Sequence, residues 1–491
     1  MLQRLYHSFQ LDLRALALLR ILTSLVILLD LGIRLTDLKV FYTGEGTLPA
    51  EALKSFYYNW YSFSLHTLYE HPAFQIMLFM LSALFAVFLL IGFRTRLFTL
   101  LSWFMLMSLQ VRNPLILQGG DDLLRLILFW GFFLPWGKSF SVDCKFLPTG
   151  SALNTKYISW AGAAFVLQIC YVYGASAIQK GPEWNSQFTA LYYTYHLDQI
   201  AYPLATYLSD FPMLLKWLTA LAYYFELLVP FLLLAPTKNG KIRLIGIFAI
   251  IGFHLWNGFT LQVGLYFIIG IISVTGLLPA LAMNNLIRIL KPLQNVLNTL
   301  LNRAAAFLIR FRPTPIPLFH FVSSKLYQVK DIILIILIAY VMAWNWGNLP
   351  VTKKQLAGWI RDPGYLLGLQ QNWNMFAPGV SKYDGWYIYE GITENNEIVD
   401  LQNPGNQPDY MKPASVVNTF KNDRWRKYGE NYAKDQNRNI RPYLCKYLMK
   451  EWNDQFPGKK IRQVRIIYML ELTLPDYQKP KLEKLVLSVC Y

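Results

Sequence analysis

Apolar segments recur along the first 350 residues at about the length that a bilayer requires. A helix that crosses the hydrocarbon core needs about 20 consecutive apolar residues. Hydrophobic residues make up 54% of the 491-residue chain, which is more than a soluble core requires. The sequence therefore predicts an all-α, polytopic membrane helix bundle of about nine transmembrane helices. These predicted spans are residues 13–33, 73–93, 97–111, 123–136, 157–179, 213–235, 244–260, 265–281 and 332–346.

The third and fourth predicted spans are short, and polar residues lie between them. Arg112 follows the third span directly, and Asp121, Asp122 and Arg125 come after a Gly-Gly pair. Irregular backbone inside a membrane must face protein or water, so a partly re-entrant arrangement of these two segments stays open. We expect the four charged side chains to neutralise one another as a structural polar cluster.

Lysine and arginine dominate the charge balance, and the formal net charge is +17. They cluster in short loops beside apolar segments, so they indicate membrane topology and do not indicate a nucleic-acid partner. Cytoplasmic loops retain basic residues, which predicts a cytoplasmic N-terminus for the transmembrane domain at residues 1–283. The basic residues of that domain that we place in the cytoplasm are Arg4, Arg94, Arg96, Lys138, Lys145, Lys156, Lys238, Lys241 and Arg243.

A basic, amphipathic cytoplasmic linker is predicted for residues 284–330. Its cations alternate with Leu, Ile and Phe, which favours a helix that lies on the anionic inner leaflet. Residues 331–348 then form the final transmembrane helix, and residues 349–491 follow on the extracytoplasmic side together with loops 35–72 and 180–212. The linker cations are Arg288, Lys291, Arg303, Arg310, Arg312, Lys325 and Lys330.

The tail at residues 349–491 is rich in Asn, Lys, Asp and Tyr and contains no predicted span. We expect a small α+β domain with a hairpin at 386–390 and 397–401, a helix at 421–452, and strands at 464–474 and 485–490. Cys445 and Cys490 form a disulfide if this domain lies in an oxidising compartment, and otherwise are two buried thiols. The four cysteines show no metal-ligand spacing, so no metal is expected.

Lys180 ends the fifth predicted span and is the strongest candidate for chemistry. Helical spacing places Tyr173, Ser176 and Lys180 on one face of that helix. One interpretation is a lysine that anchors the helix end at the membrane interface. The other is a partly desolvated amine that is available as a base.

Two further spans carry polar residues at membrane depth, where an unpaired ionisable group is costly. Glu226 lies within the sixth span, where it either holds helices together or faces a cavity. His254 and Asn257 lie three residues apart on the seventh span and share a helix face, which suits the wall of a polar pocket. A lone buried histidine is also common as a satisfied structural residue.

Several motifs occur in a fixed order along the chain: Arg112-Asn113-Pro114, Gly119-Gly120-Asp121, Ser141-Val142-Asp143, Lys180 with Trp184, Leu197-Asp198-Gln199, Glu226 with Pro230, His254, and Trp373-Asn374-Met375-Phe376-Ala377-Pro378. Taken together, they resemble the horizontally transferred transmembrane (HTTM) domain family, which includes the vitamin K-dependent γ-glutamyl carboxylases. The resemblance covers roughly the first 280 residues, and the last motif resembles the tail of the bacterial members.

The resemblance implies a bacterial inner-membrane protein with an active site that faces the extracytoplasmic side. Lys180 would take the place of the lysine that deprotonates vitamin K hydroquinone or a related quinol, with O2 and CO2 as co-substrates. A glutamate in an exported peptide or protein would be carboxylated. An enclosed apolar site suits this chemistry because reactive intermediates must be shielded from water. The residues that would line the cavity are Tyr173, Ser176, Trp184, Glu226, His254 and Asn257.

Two departures from the family pattern bear on this interpretation. Pro114 follows Asn113 where the carboxylase has a histidine that it uses in carboxylation, so carboxylation is less well supported than quinol deprotonation. The chain also lacks the large lumenal region with which the animal enzyme holds its substrate. The main alternative is a non-catalytic membrane protein that assists maturation or export of a secreted peptide. A transporter is a third alternative, although broken helices in matching halves are not visible in the sequence.

Overall fold

The computed structural model describes residues 7–146, 155–236, 240–311, 324–349, 352 and 356–491. Of the cations assigned to the cytoplasm above, Arg4, Lys238, Arg312 and the side chain of Lys325 lie outside the described residues. The described chain is mostly helical and ends in a small antiparallel sheet, which confirms the predicted division into a helical part and an α+β tail.

Long helices make up the part of the chain that precedes the tail. Six of them (α1, α2, α5, α6, α7 and residues 328–347 of α11) are long and apolar enough to cross a membrane within the described residues, which is the pattern of a multi-pass membrane protein. The helices are α1 (Leu13–Leu35), α2 (Pro72–Ile91), α3 (Thr95–Arg112), α4 (Gly119–Phe133), α5 (Trp160–Gln179), α6 (Pro212–Leu234), α7 (Lys241–Thr260), α8 (Tyr266–Thr275), α9 (Ala280–Ile289), α10 (Lys291–Leu308) and α11 (Ser324–Gly347).

Short elements connect the long helices. Single-turn and two-turn helices occupy Leu38–Tyr42, Ala50–Phe56, Val142–Lys145, Pro182–Asn185, Ala190–Tyr195 and Pro203–Ser209. Three-residue 3-10 helices occupy Leu65–Thr67, Pro114–Ile116 and Ile309–Phe311. The two-residue strands Leu11–Asp12 and Lys156–Tyr157 pair antiparallel and join the start of α1 to the start of α5.

The third, fourth and eighth predicted spans do not form long apolar helices. Helix α3 has 18 residues, α4 has 15, and α8 has only 10. Helices α8 and α9 are bent by 110° relative to each other, so the predicted continuous span at residues 265–281 is corrected to a broken helix pair. Pro279 explains the break, because the residue before a proline disfavours the helical conformation.

Helix α5 lies at the centre of the bundle, where it packs against α4, α6 and α11. Its apolar window is 78% buried inside the protein, compared with 22% for α6. Small residues make this central position possible, because they let neighbouring helices approach closely. They are Ala161, Gly162, Ala163, Ala164, Gly174, Ala175, Ser176 and Ala177.

The predicted basic linker is helical along its described length, since α9 and α10 occupy most of it. Helix α10 buries Leu301 and Leu308 against the protein and exposes Leu293, Leu300 and Phe307. This pattern fits the predicted amphipathic helix. Helix α11 begins at Ser324, and the part of it that is apolar enough to cross a membrane is residues 328–347.

The tail forms a four-stranded antiparallel sheet covered by helices. The strands are β1 (Tyr383–Thr393), β2 (Ile398–Asp400), β3 (Ile461–Leu472) and β4 (Lys481–Cys490), in the order β2-β1-β3-β4. The helices are Gly358–Leu366, α12 (Asp423–Ala433) and α13 (Arg441–Gln455), with 3-10 turns at Val417–Thr419 and Asp435–Ile440.

The predicted tail elements match this arrangement with one correction. The hairpin β1-β2 and the strands β3 and β4 lie where they were expected. The single predicted helix at 421–452 is divided into α12 and α13, and Pro442 stands in the first turn of α13, a position that proline favours. Cys445 and Cys490 form a disulfide that ties α13 to β4, so the disulfide alternative holds.

The tail packs against the end of the bundle that carries loops 35–72 and 180–212. Lys421 pairs with Asp37 at 2.6 Å, and the Tyr192 hydroxyl donates to the carbonyl oxygen of Leu474 at 2.7 Å. At the opposite end, the guanidinium of Arg20 donates to the carbonyl oxygen of Leu89 at 2.7 Å. The tail and the C-terminal end of α5 therefore lie at the same end of the molecule.

Candidate active site around Lys180

Lys180 is the first residue after helix α5 and its side chain is almost fully buried. Its backbone leaves the helical conformation with φ −71° and ψ 131°, because Gly181 and Pro182 follow and end the helix. The side chain is 1% exposed to solvent. The interpretation of Lys180 as an interface anchor requires an ammonium group in water, so the structure favours the buried amine instead.

Three side chains surround the amine of Lys180. Its Nζ lies 2.5 Å from Oε2 of Glu226 and 2.9 Å from Oγ of Ser176. Ser176 precedes Lys180 by four residues, so the helical spacing read from the sequence brings these two together as predicted. The Nζ also lies 4.6 Å from the ring centroid of Trp184, within the range of a cation–π contact.

Glu226 reaches Lys180 from helix α6, where α6 lies closely against α5. Pro230 follows Glu226 by four residues and removes the amide hydrogen that would bond to the Glu226 carbonyl oxygen. Gly174 of α5 lies against Pro230, where a Cβ would make an ordinary van der Waals contact at 3.6 Å. The partner of Lys180 is therefore set by the packing of two helices, which the spacing along one helix does not reveal.

Tyr173 and His254 form a second polar group, which joins α5 to α7. The Tyr173 hydroxyl lies 2.9 Å from Nε2 of His254, and both side chains are buried. Nδ1 of His254 has no hydrogen-bond partner within the described residues. The imidazole packs against Gly270, where a Cβ would overlap the ring. Tyr266 of α8 also contacts this group, because its ring centroid lies 5.4 Å from that of His254.

Asn257 shares the helix face of His254 but is only half-buried. Its main-chain carbonyl oxygen accepts a hydrogen bond from Leu261 at 2.8 Å. Among the described residues, no hydrogen bond joins its side chain to Lys180 or Glu226. Of the six predicted cavity residues, Asn257 is therefore the one that takes no part in the contacts described around Lys180 and His254.

A segment of the tail covers the Lys180 end of α5. The Trp184 indole donates to the carbonyl oxygen of Phe376 at 2.7 Å, and the Gly181 amide donates to that of Pro378 at 2.7 Å. The Val380 amide donates to the carboxylate of Glu183 at 2.9 Å. We call residues 373–382 the roof segment. In the sequence, the motif at 373–378 has no signal apart from the resemblance, so its position over Lys180 could not be predicted.

The predicted polar cluster is not a single group, which corrects that expectation. Arg112 pairs with Glu70 at 3.0 Å, and Arg125 pairs with Asp122 at 2.8 Å. Asp121 contacts neither of these arginines. Its hydrogen-bonding partners lie elsewhere because the N-terminus of α4 faces helix α1 and the tail.

A buried network of four ionised side chains links α1, α4 and the tail helix α12. Asp121 bonds to Arg34 at 2.5 Å and to Arg424 at 2.5 and 2.9 Å. Asp30 bonds to Arg34 at 2.7 Å and to Arg424 at 2.8 Å. Two positive and two negative charges thus balance at a site where none is more than 6% exposed. We call this set the Arg424 network.

Asp384 lies where the sheet meets the loop at 180–212. Its carboxylate accepts a hydrogen bond from the Gln199 amide at 3.1 Å. Burial, and to a lesser extent the charge of nearby Asp198, raises the pKa of Asp384 to about 7. This contact between tail and bundle therefore contains a carboxyl group that titrates near neutral pH.

No family model, curated protein or solved structure matches this chain. The chemical capacity of the site thus rests on its own geometry. It combines a buried amine, a carboxylate in contact with it, a buried hydroxyl–imidazole pair whose Nδ1 has no described partner, and a segment of the tail that covers the amine. Within the described residues, no group of His, Cys, Asp and Glu is arranged to hold a metal ion.

Proposed function

We propose that this protein is a multi-pass membrane enzyme of the vitamin K-dependent carboxylase type, in which Lys180 acts as a base on a quinol. The observation that carries the proposal is the burial of the Lys180 amine between Glu226 and Ser176 beneath the roof segment. Burying an amine costs hydration free energy. Such burial is expected where an ion pair offsets the cost or where the chemistry of the amine requires it.

The side chains present suit a quinol. The face of Trp184 offers an aromatic surface beside the amine, and Nδ1 of His254 is a buried ring nitrogen whose hydrogen-bonding capacity is unused. Lys180, Trp184, Tyr173 and His254 are the residues that would hold the quinol. A bound quinol would supply a weakly acidic hydroxyl group and the electrons for reaction with O2.

Lys180 can accept a proton only as the neutral amine. Glu226 makes that form accessible because its carboxylate can hold the proton that Lys180 gives up, at a separation of 2.5 Å. The Lys180 amine donates a hydrogen bond to Oγ of Ser176, which fixes the direction of the amine.

Carboxylation of a glutamate in an exported substrate, with CO2, is the second half of the proposal. In the polar turn where the family has a histidine after its asparagine, Pro114 follows Asn113. The Asn113 side chain accepts a hydrogen bond from the Leu115 amide and donates one to the carbonyl oxygen of Phe41. Because both ends of that side chain are engaged, quinol oxidation by O2 is the activity that we propose to test first.

We further propose about nine membrane crossings in the bacterial inner membrane, with a cytoplasmic N-terminus and an extracytoplasmic tail. The Cys445–Cys490 disulfide supports this side for the tail, because disulfides persist in oxidising compartments. Basic residues at the opposite end, such as Arg94 and Lys138, support a cytoplasmic location for that end. Lys180 would then face the extracytoplasmic side.

The test is the formation of vitamin K epoxide from vitamin K hydroquinone in membranes that contain the protein. We expect Lys180→Ala to reduce the rate at least about 100-fold, as removal of a general base does. Lys216→Ala is the matched control, because Lys216 is an exposed lysine on the same helix as Glu226 and should leave the rate unchanged.

Two outcomes would overturn the proposal. One is the absence of any epoxide or O2 consumption with the folded wild-type protein. The other is an equal rate for wild type and Lys180→Ala. The first result would favour the alternative of a non-catalytic protein that assists the maturation of a secreted peptide, and the second would exclude Lys180 as the base.

A further inference from the structure

The outer edge of strand β4 is a long unpaired edge in the tail. The sheet has two edges, and β2 at the other one has only three residues, whereas β4 has ten. Within the described residues no main-chain hydrogen bond from outside the sheet reaches Lys481–Cys490. Soluble domains usually shorten or cover such edges, since unpaired donors and acceptors attract another strand.

One face of β4 also presents apolar side chains to solvent. Leu482 and Val486 pair with Glu471 and Ile467 of β3, so they point to the same face of the sheet. They are 58% and 55% exposed. Lys484 lies between them on that face, but its Nζ lies 4.0 Å from the ring centroid of Tyr410 and so is directed inward over the sheet. Lys484 therefore does not place a charge at the edge of the sheet that would hinder pairing with another strand.

Positive charge lies beyond the regular part of β4. A bulge at Leu487 of β4, opposite Ile466 and Ile467 of β3, interrupts the pairing, so the regular edge covers Lys481 to Val486. Leu487 and Ser488 line a shallow depression together with Arg438 and Arg441. Arg438 is exposed and forms no ion pair with any described carboxylate. A strand that added to the edge of β4 and continued past Val486 would therefore come close to the guanidinium of Arg438.

The other end of β4 lies close to the roof segment. Lys481 pairs with Leu472, and Leu472 pairs with Tyr383 of β1. Two strand spacings, about 10 Å, thus separate Lys481 from Tyr383. The preceding residue, Lys382, pairs with Glu183 at 3.1 Å, next to Trp184. The edge of β4 therefore runs from the neighbourhood of the Lys180 site to a basic depression.

We infer that β4 captures an extended, acidic segment of an exported polypeptide, which adds to the sheet as a fifth strand. The inference rests on the proposed function and names its substrate class. Main-chain hydrogen bonds would supply the affinity, the exposed apolar side chains would receive alternate side chains of the peptide, and Arg438 would bind a carboxylate. A second copy of this chain is a weaker candidate, because six paired residues bury far less than the roughly 1,200 Å² of a stable dimer.

The experiment measures binding of a fluorescent (Glu-Val)5 peptide to the purified full-length protein in nanodiscs. We expect binding that weakens at least about tenfold when alternate peptide nitrogens are methylated, because methylation removes the donors that pair with an edge. The double variant Leu482→Thr/Val486→Thr should weaken binding several-fold. Ile398→Thr on the β2 edge is the matched control, since Ile398 is also exposed on an edge strand.

The charge component is tested with Arg438→Gln, which should weaken (Glu-Val)5 by about threefold and leave (Thr-Val)5 unchanged. Equal binding of methylated and unmethylated peptides overturns the inference, as does equal binding of (Glu-Val)5 and (Lys-Val)5. If the wild-type protein forms dimers that Leu482→Thr/Val486→Thr abolishes, the β4 edge binds a second copy of this chain and not a peptide. Lys180→Ala should still bind the peptide. A wild-type protein that binds the peptide but never oxidises the quinol overturns the proposed function alone, whereas quinol oxidation by a wild-type protein that does not bind the peptide overturns this inference alone.

Discussion

Replacing Arg424 with methionine should loosen the tail from the transmembrane part. The guanidinium donates to Asp121 at 2.5 and 2.9 Å, to Asp30 at 2.8 Å, and to the carbonyl oxygen of Ile116 at 2.8 Å. Methionine fills a similar volume but leaves Asp30 and Asp121 with only Arg34 to balance them. Removing one partner of a buried ion pair costs about 3–5 kcal/mol, because the remaining charge is left uncompensated.

This loss should be visible as lower thermal stability of the tail. At about 2–4 °C per kcal/mol for a unit of this size, the melting temperature should fall by about 10 °C. Hydrogen exchange should rise in α12 and in the N-terminal turn of α4. The assay compares purified wild type, Arg424→Met and Arg438→Met in one detergent, since Arg438 is an exposed arginine of the same domain.

A second variant separates charge balance from packing. Asp30→Asn/Arg424→Met leaves one positive and one negative charge, so it should recover part of the stability that Arg424→Met loses. If Arg424→Met melts within about 1 °C of Arg438→Met, the Arg424 network does not hold the tail in place. If the double variant is as unstable as the sum of both single variants, charge balance is not the reason.

Three further predictions concern stability and membrane contact. Replacing Cys445 and Cys490 with serine should lower the free energy of unfolding by about 4 kcal/mol, since the disulfide closes a loop of 45 residues. The measurement is a drop in melting temperature. A reductant should cause the same drop in wild type, and replacement of either free cysteine should not. The pKa of Asp384 is about 7 in the folded protein and about 4 in the unfolded chain. Its carboxyl group therefore contributes most to the stability of the fold below pH 4, and this contribution is lost as the pH rises through 7. Asp384→Asn should therefore gain stability relative to wild type at pH 8 and show little gain at pH 4. Leu300→Asp/Phe307→Asp on the exposed face of α10 should increase its protease sensitivity in anionic nanodiscs; unchanged sensitivity would contradict contact with lipid.

The long spans could be predicted because their signal is local. About 20 apolar residues in a row fix a helix and its environment without knowledge of any partner. The same is true of the Ser176–Lys180 contact, which follows from the spacing of one helix. The break before Pro279 has a local cause as well, but hydropathy averages over it, so the predicted span at 265–281 ran across the bend.

Contacts between distant segments could not be predicted from one sequence. Asp30 lies within the first apolar span, and its partner Arg424 stands 394 residues further along the chain. Arg112 was expected to pair with neighbouring aspartates and instead finds Glu70, because the loop at 35–72 folds back over the end of α3. The roof segment over Lys180 is likewise a tertiary contact whose only sequence signal was the order of motifs in a resemblance.

The most direct test of the account asks whether the amine of Lys180 is the base. Lys180→Ala in nanodiscs is supplied with vitamin K hydroquinone, O2 and a series of small primary amines, and epoxide formation is measured by chromatography. We expect an inactive variant whose activity returns in part as amine is added, with a rate that rises with amine basicity, and no such rescue of Glu226→Gln. Activity of Lys180→Ala equal to wild type without any amine would contradict the central claim.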